Sequence, residues 1–171
     1  MKQFGTLLTS GIIALCFSLS VAAQSSEKSL DQTELMKQFT GTWMAELEEG
    51  GTLIWEIIPL GKGYEQNLFW KSDGETYRTD KGIIGFPGNG GVEMIFLWSR
   101  DGEVSRDYGE FESEKRIIFK RFNIEHTRVY SIFDYNFITS DKIKMIWKSR
   151  GDEESWDNAE VSEWIWTKVK K

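Results

Sequence analysis

From residue 42 to the end, the sequence alternates apolar and polar positions in short runs. In Ile143-Lys144-Met145-Ile146-Trp147-Lys148, Ile143, Met145 and Trp147 share one face, and lysines hold two of the alternate positions. Val92, Met94, Phe96 and Trp98 form a second such row. A period of two belongs to a half-buried β-strand, whose successive side chains point to opposite faces. The pattern predicts strands at 42–48, 52–60, 63–72, 75–86, 92–99, 103–112, 115–123, 127–138, 141–150 and 155–169. Between them stand turn sequences such as Gly61-Lys62-Gly63, Asp73-Gly74 and Asp101-Gly102, with a longer loop at Pro87-Gly88-Asn89-Gly90-Gly91. Asp-Gly between alternating runs is a hairpin signal, because tight hairpin turns need positive φ. With connections this short, neighbours in sequence pair antiparallel. The expected fold is therefore all-β, an antiparallel up-and-down meander barrel of about ten strands with a short N-terminal helix.

That helix is expected at Leu30 to Phe39. Asp31 can cap its start, Glu34 follows three residues later, and Leu35, Met36 and Phe39 recur at helical spacing. The residues before it read differently. Lys2 is followed by an uncharged stretch from Phe4 to Val21, and Val21-Ala22-Ala23 places small residues before Gln24. This order is that of a cleavable secretory signal peptide over 1–23. A flexible mature N-terminus would then occupy 24–29 and the barrel 30–171. Thr9, Ser10, Gly11, Ser18 and Ser20 interrupt the stretch, whereas a spanning helix needs about 20 predominantly apolar residues. The one cysteine, Cys16, follows Leu15, not the small residue expected before a lipid-attachment site. After cleavage the chain would hold no thiol, which excludes disulfides, zinc–thiolate sites and a cysteine nucleophile. The expected location is secreted, periplasmic or extracellular.

The net charge is −6 and there is no long basic stripe, so nucleic acid is not an expected partner. Charged residues recur in mid-strand, which argues against membrane insertion of the mature chain as an outer-membrane barrel. His126 is the only histidine, so no multi-histidine metal site or second-histidine triad can form. The glycines from Gly85 to Gly91 precede a strand, not the helix a phosphate cradle requires. Glu110 and Glu112 share a face with Tyr108 and are expected in solvent. No catalytic residue, metal site or cofactor is expected, and the reading leans away from an enzyme.

Phe39-Thr40-Gly41-Thr42-Trp43 joins the helix to the first strand. A short helix followed by Gly-x-Trp ahead of a strand meander resembles the lipocalin-like (calycin) barrels, in particular the secreted bacterial lipocalin-like domains of unknown function. The resemblance implies that the helix closes one end, that Trp43 packs beneath it, and that the other end admits a ligand. It also implies a late-strand arginine stacked over that tryptophan. Here the late strand reads Trp164-Ile165-Trp166-Thr167-Lys168, with a lysine, which lacks the planar fork that stacks.

Three hairpins repeat one text: Trp70-Lys71-Ser72-Asp73-Gly74-Glu75, Trp98-Ser99-Arg100-Asp101-Gly102-Glu103 and Trp147-Lys148-Ser149-Arg150-Gly151-Asp152. In a meander all three turns fall at one end, so their tryptophans either serve hairpin structure or rim a mouth. Arg121 shares parity with Ile117 and Phe119, which points it inward, where it could anchor a ligand carboxylate. The candidate ligand-binding residues are Trp70, Trp98, Arg121 and Trp147. The expected function is holding a small apolar or amphipathic molecule inside the barrel. Acids at the expected rim, including Glu48, Asp73, Asp101, Glu125 and Asp152, favour a neutral or cationic ligand. The alternatives are a carbohydrate-binding β-sandwich that stacks sugars on surface tryptophans (Trp70, Trp98 or Trp156) and an enzyme of unrecognised mechanism.

Overall fold

The structure is a computed structural model and describes residues 30–48, 50–88, 90–99, 101–122, 128–151 and 154–170. The segments 1–23 and 24–29, with the signal peptide expected there, lie outside the described residues, as does His126. A helical turn α1 (Gln32–Met36) runs into a 3₁₀ turn (Lys37–Phe39). Ten strands follow: β1 (Gly41–Glu46), β2 (Thr52–Leu60), β3 (Gly63–Ser72), β4 (Glu75–Gly85), β5 (Val92–Trp98), β6 (Val104–Ser113), β7 (Arg116–Phe122), β8 (Val129–Thr139), β9 (Lys142–Ser149) and β10 (Glu160–Lys168). Each pairs antiparallel with its sequence neighbours, and β1 pairs with β10, so the sheet closes on itself. The expected barrel is what forms. Closure also removes the two-layer sandwich on which the carbohydrate-binding alternative rested.

The period-two rows become the inner wall. Val92 and Met94 on β5, Ile117 and Phe119 on β7, and Ile143 and Met145 on β9 are all buried. Gly109 on β6 leaves room for one of them. A Cβ there would stand 2.4 Å from the Phe119 ring. The last strand is shorter than its sequence pattern suggests. Residues 156–158 form a 3₁₀ turn because the Ser155 hydroxyl accepts from the Asp157 N–H, a local bond that competes with the ladder.

The helix plugs the end that holds the β2–β3, β6–β7 and β8–β9 turns. Asp31 caps it as expected, its Oδ1 accepting from the Glu34 N–H at 3.1 Å. Pairing between β5 and β6 stops at Val92 opposite Gly109, which leaves the next backbone edge of β6 open. The buried Gln32 amide fills it. The Phe111 N–H donates to Gln32 Oε1 at 2.6 Å, and Gln32 Nε2 donates back to the Phe111 carbonyl. Phe39, fully buried, then drives into the barrel against Trp55, Phe111, Tyr135 and Phe137.

Trp43 lies beneath this plug and donates from Nε1 to the Phe39 carbonyl at 2.7 Å. Its register partner across the seam is Lys168, whose Nζ sits 5.0 Å from the Trp43 ring centroid. The lysine thus covers the tryptophan as a point charge, a role that needs no planar fork. Gly41 makes the approach possible: its φ is +125°, and a Cβ would come within 2.9 Å of Lys168 Cε.

Urea denaturation of Trp43→Phe should show a loss of about 1–3 kcal/mol, because the buried Phe39 carbonyl loses its donor. Lys168→Met removes both the charge over the ring and the Nζ donor to the Gln38 carbonyl and should cost about 1–2 kcal/mol.

Candidate functional site

Aromatic packing fills the barrel unevenly. The half beneath the helix is solid, with Phe39, Trp43, Phe111, Ile117 and Ile143 at 2 % exposure or less. The other half holds a cavity of about 260 Å³. Its floor is Trp55, Phe119, Tyr135, Met145 and Trp166, and its upper wall is Leu53, Leu68, Phe96, Trp98, Phe133, Trp147 and Trp164. Among the described residues, the charged groups that line it are Arg121 and Asp107. Such a hollow, mostly apolar with a few placed polar groups, is the usual form of a small-molecule site.

Arg121 projects inward from β7, as its parity with Ile117 and Phe119 indicates, and is 9 % exposed. A ligand carboxylate at this guanidinium would have to compete with a carboxylate of the protein. Asp107, directly opposite on β6, takes Nε at 2.6 Å and Nη2 at 2.8 Å in a two-pronged pair. The guanidinium also lies between two rings, 5.0 Å from the Trp98 centroid and 4.8 Å from that of Phe133. Burial pulls its pKa down, but the Asp107 hydrogen bonds and charge outweigh this and hold it above the ordinary arginine value. Its charge is neutralised within the wall.

The wall around this pair is ordered by rings. Phe96 stacks on Trp98 at 6.0 Å, and the Trp98 Nε1 donates to Ser105 Oγ at 3.0 Å. Phe133 lies parallel to Trp147 at 6.2 Å, and Trp147 meets Trp164 at 6.0 Å. Three of the four candidate residues, Trp98, Arg121 and Trp147, thus line one cavity. Trp70 does not. It pairs with Leu53, so it keeps the inward register, but it sits one step beyond the cavity at the rim and is 43 % exposed. Its indole instead leans on Gly51, where a Cβ would meet Nε1 at 2.7 Å.

Two acidic residues escaped the sequence reading. Asp107 shares parity with the buried Ser105 and Phe111, a signal that was available. Asp80 on β4 is paired with Leu68 and Trp98, so it faces the same interior, and it is 2 % exposed. Its Oδ2 has no hydrogen-bond partner. Burial raises its pKa from 3.8 to about 6, against the lowering effects of the Ser99 N–H, the Arg121 charge and Thr79. The proposed solvent placement of Glu110 and Glu112 holds, since both are exposed on β6. Among the described residues, no group of three or more His, Cys, Asp or Glu side chains could hold a metal ion.

No protein-family model and no curated protein matches the chain. What the geometry defines is a class: a closed ten-strand antiparallel barrel, plugged at one end by a short helix and compatible with a lipocalin-like fold. Among the described residues, no helix is long and apolar enough to cross a membrane.

Asp107→Asn should destabilise the protein by about 3–5 kcal/mol, because it strands the Arg121 charge in a buried site. The double variant Asp107→Leu/Arg121→Met should recover most of that loss in urea denaturation, since it removes both charges together. Asp80 gives a pH signature of opposite sense to an ordinary carboxylate. Its folded-state pKa is raised, so its neutral form favours the fold below about pH 3.8, and that contribution is lost as the pH rises through about 6. Relative to Asp80→Asn, the wild-type urea midpoint should therefore fall between about pH 4 and pH 7.

Proposed function

We propose that this chain is an exported, lipocalin-like binding protein that carries a small, largely apolar molecule in the upper half of its barrel. The single observation behind the reading is the hollow itself: a cavity of about 260 Å³ walled almost wholly by aromatic and aliphatic side chains. A dry apolar cavity of roughly 150 Å³ already accepts a benzene-sized molecule. This one suits a molecule of about two rings. Each buried CH₂ of such a ligand contributes about 0.8 kcal/mol, so useful affinity needs no catalytic or charged group.

Pre-organisation supports the same reading. The Arg121–Asp107 pair and the ring stacks on either side hold Trp98, Phe133 and Trp147 in place, so little side-chain entropy remains to be lost on binding. Export is supported by the order of Lys2, the uncharged stretch to Val21 and the small residues before Gln24.

Titration with the neutral dye N-phenyl-1-naphthylamine should raise and blue-shift its emission while quenching tryptophan fluorescence. Met94 also lines the cavity, and Met94→Trp, which pushes a larger side chain into it, should abolish this response while the protein keeps a cooperative thermal transition. If the variant binds the dye as well as the wild type, the dye sits elsewhere and the carrier reading fails. Intact mass of the protein recovered from the periplasm or medium should correspond to a chain beginning at Gln24. A mass that includes residues 1–23 would overturn the export proposal.

A further inference from the structure

Resting on the carrier reading, we infer that the molecule held in the cavity is an organic cation, an ammonium group carried on an apolar body of about ring size. Charge inside the barrel does not balance. Among the described residues, the buried charged side chains are Asp80, Asp107 and Arg121. Arg121 and Asp107 neutralise one another in their two-pronged pair. Asp80 is left over. It is 2 % exposed, and its sheet partners Leu68 and Trp98 both line the cavity. The positive charge that acts on it, Arg121, already belongs to Asp107. A buried aspartate without a cation of its own is rare and costly. Once ionised, it leaves the interior with one negative charge in surplus, and a cationic ligand supplies the missing partner.

The wall suits the head group of such a molecule. Asp80 is not among the side chains that line the cavity, so it acts by its charge, and direct contact falls to the rings. Nine aromatic side chains border the space, five of them tryptophans. A cation is attracted to the face of an aromatic ring, most strongly that of tryptophan, and more so where water is excluded. Arg121 shows this wall doing so, with its guanidinium 5.0 Å from the Trp98 centroid and 4.8 Å from that of Phe133. The apolar body of the ligand would meet Leu53, Leu68, Met94 and Met145 on the same wall.

The mouth favours the same charge. The open end is made by the connections β1–β2, β3–β4, β5–β6, β7–β8 and β9–β10. Their described residues include the exposed acids Glu48, Asp73, Asp101, Glu103, Glu154 and Asp157, against the half-buried Arg128 and Arg150. The strand connections at the helix end balance instead, with Glu114 and Asp141 against Lys62 and Lys115. An entrance of one sign concentrates ligands of the opposite sign. An anion would be repelled at the rim and again by Asp80.

The test uses two probes of one shape: trimethylphenylammonium, whose charge does not titrate, and its neutral isostere tert-butylbenzene. Each is titrated into the full chain loaded with N-phenyl-1-naphthylamine, and displacement of the dye gives the affinity. At pH 8 the cation should bind roughly two- to thirtyfold tighter than the isostere, the range of a cation held against aromatic rings. Burial raises the Asp80 pKa to about 6, so acid removes the surplus charge. The charged groups facing Asp80 are Arg121 on β7, which stays ionised, and Asp101 on the β5–β6 connection. Its other neighbours, Leu68, Thr79, Trp98 and Ser99, carry none. The preference for the cation should therefore fall about three- to tenfold from pH 8 to pH 5, where about a tenth of Asp80 is ionised. In Asp80→Asn the preference at pH 8 should shrink to a similar extent and lose its pH dependence. The wild-type pH series gives the same reading without a variant. Equal or tighter binding of the isostere at pH 8, or a preference undiminished at pH 5 or in Asp80→Asn, would overturn the inference and leave the carrier reading standing. If the dye itself does not bind, the carrier reading falls and this inference falls with it.

Discussion

Everything in this molecule depends on closing the seam between its first and last strands. Nine of the ten strand junctions are made by neighbours in sequence, but the tenth joins β1 to β10 across the whole length of the chain. It is also short, with Trp43 opposite Lys168 and Met44 opposite Thr167. Loop-closure entropy opposes so distant a contact, and two rungs of ladder offer little against it. The remainder comes from side chains gathered at the seam: Lys168 over the Trp43 ring, Trp43 bonded to the Phe39 carbonyl, and Phe39 buried among four aromatic rings. The helix, the seam and the aromatic core are one structural unit.

That unit also explains why the barrel is hollow at only one end. Phe39 fills the space beneath the helix, and the inward residues of the neighbouring strands complete a close-packed half. Above it no element of the described chain enters the barrel, and the wall has to hold its own shape. It does so with stacked rings fastened by the Arg121–Asp107 pair. A buried ion pair is a weak source of stability once desolvation is counted. In this position its planar geometry instead fixes Trp98 and Phe133 on either side of the guanidinium. Rigid walls and an unfilled interior are what a binding site needs and what a purely structural core avoids.

Much of the architecture was legible in the chain. The alternating rows and the Gly-containing turns gave ten strands whose bounds differ from the observed ones mostly by one or two residues, because strand burial and turn chemistry are local. The largest difference, the late start of β10, is local too: a Ser155 cap outcompetes the extended backbone. The Asp31 cap and the inward parity of Arg121 were equally readable. Parity by itself, however, says nothing about height in the barrel. Trp70, Trp98 and Trp147 end similar hairpins, yet Trp70 stands at the rim while the other two line the cavity.

The sequence by itself determined the meander, the faces of its strands and the end at which the helix packs, since each follows from spacing along the chain. Tertiary structure alone decided which inward residues meet. Asp107 claims Arg121, Lys168 reaches Trp43 across the seam, and the buried Nε1 groups of Trp147 and Trp166 are left without an acceptor. These are relations set by strand register, and register emerges only when the wall closes, because a shift in pairing re-aims every side chain that follows.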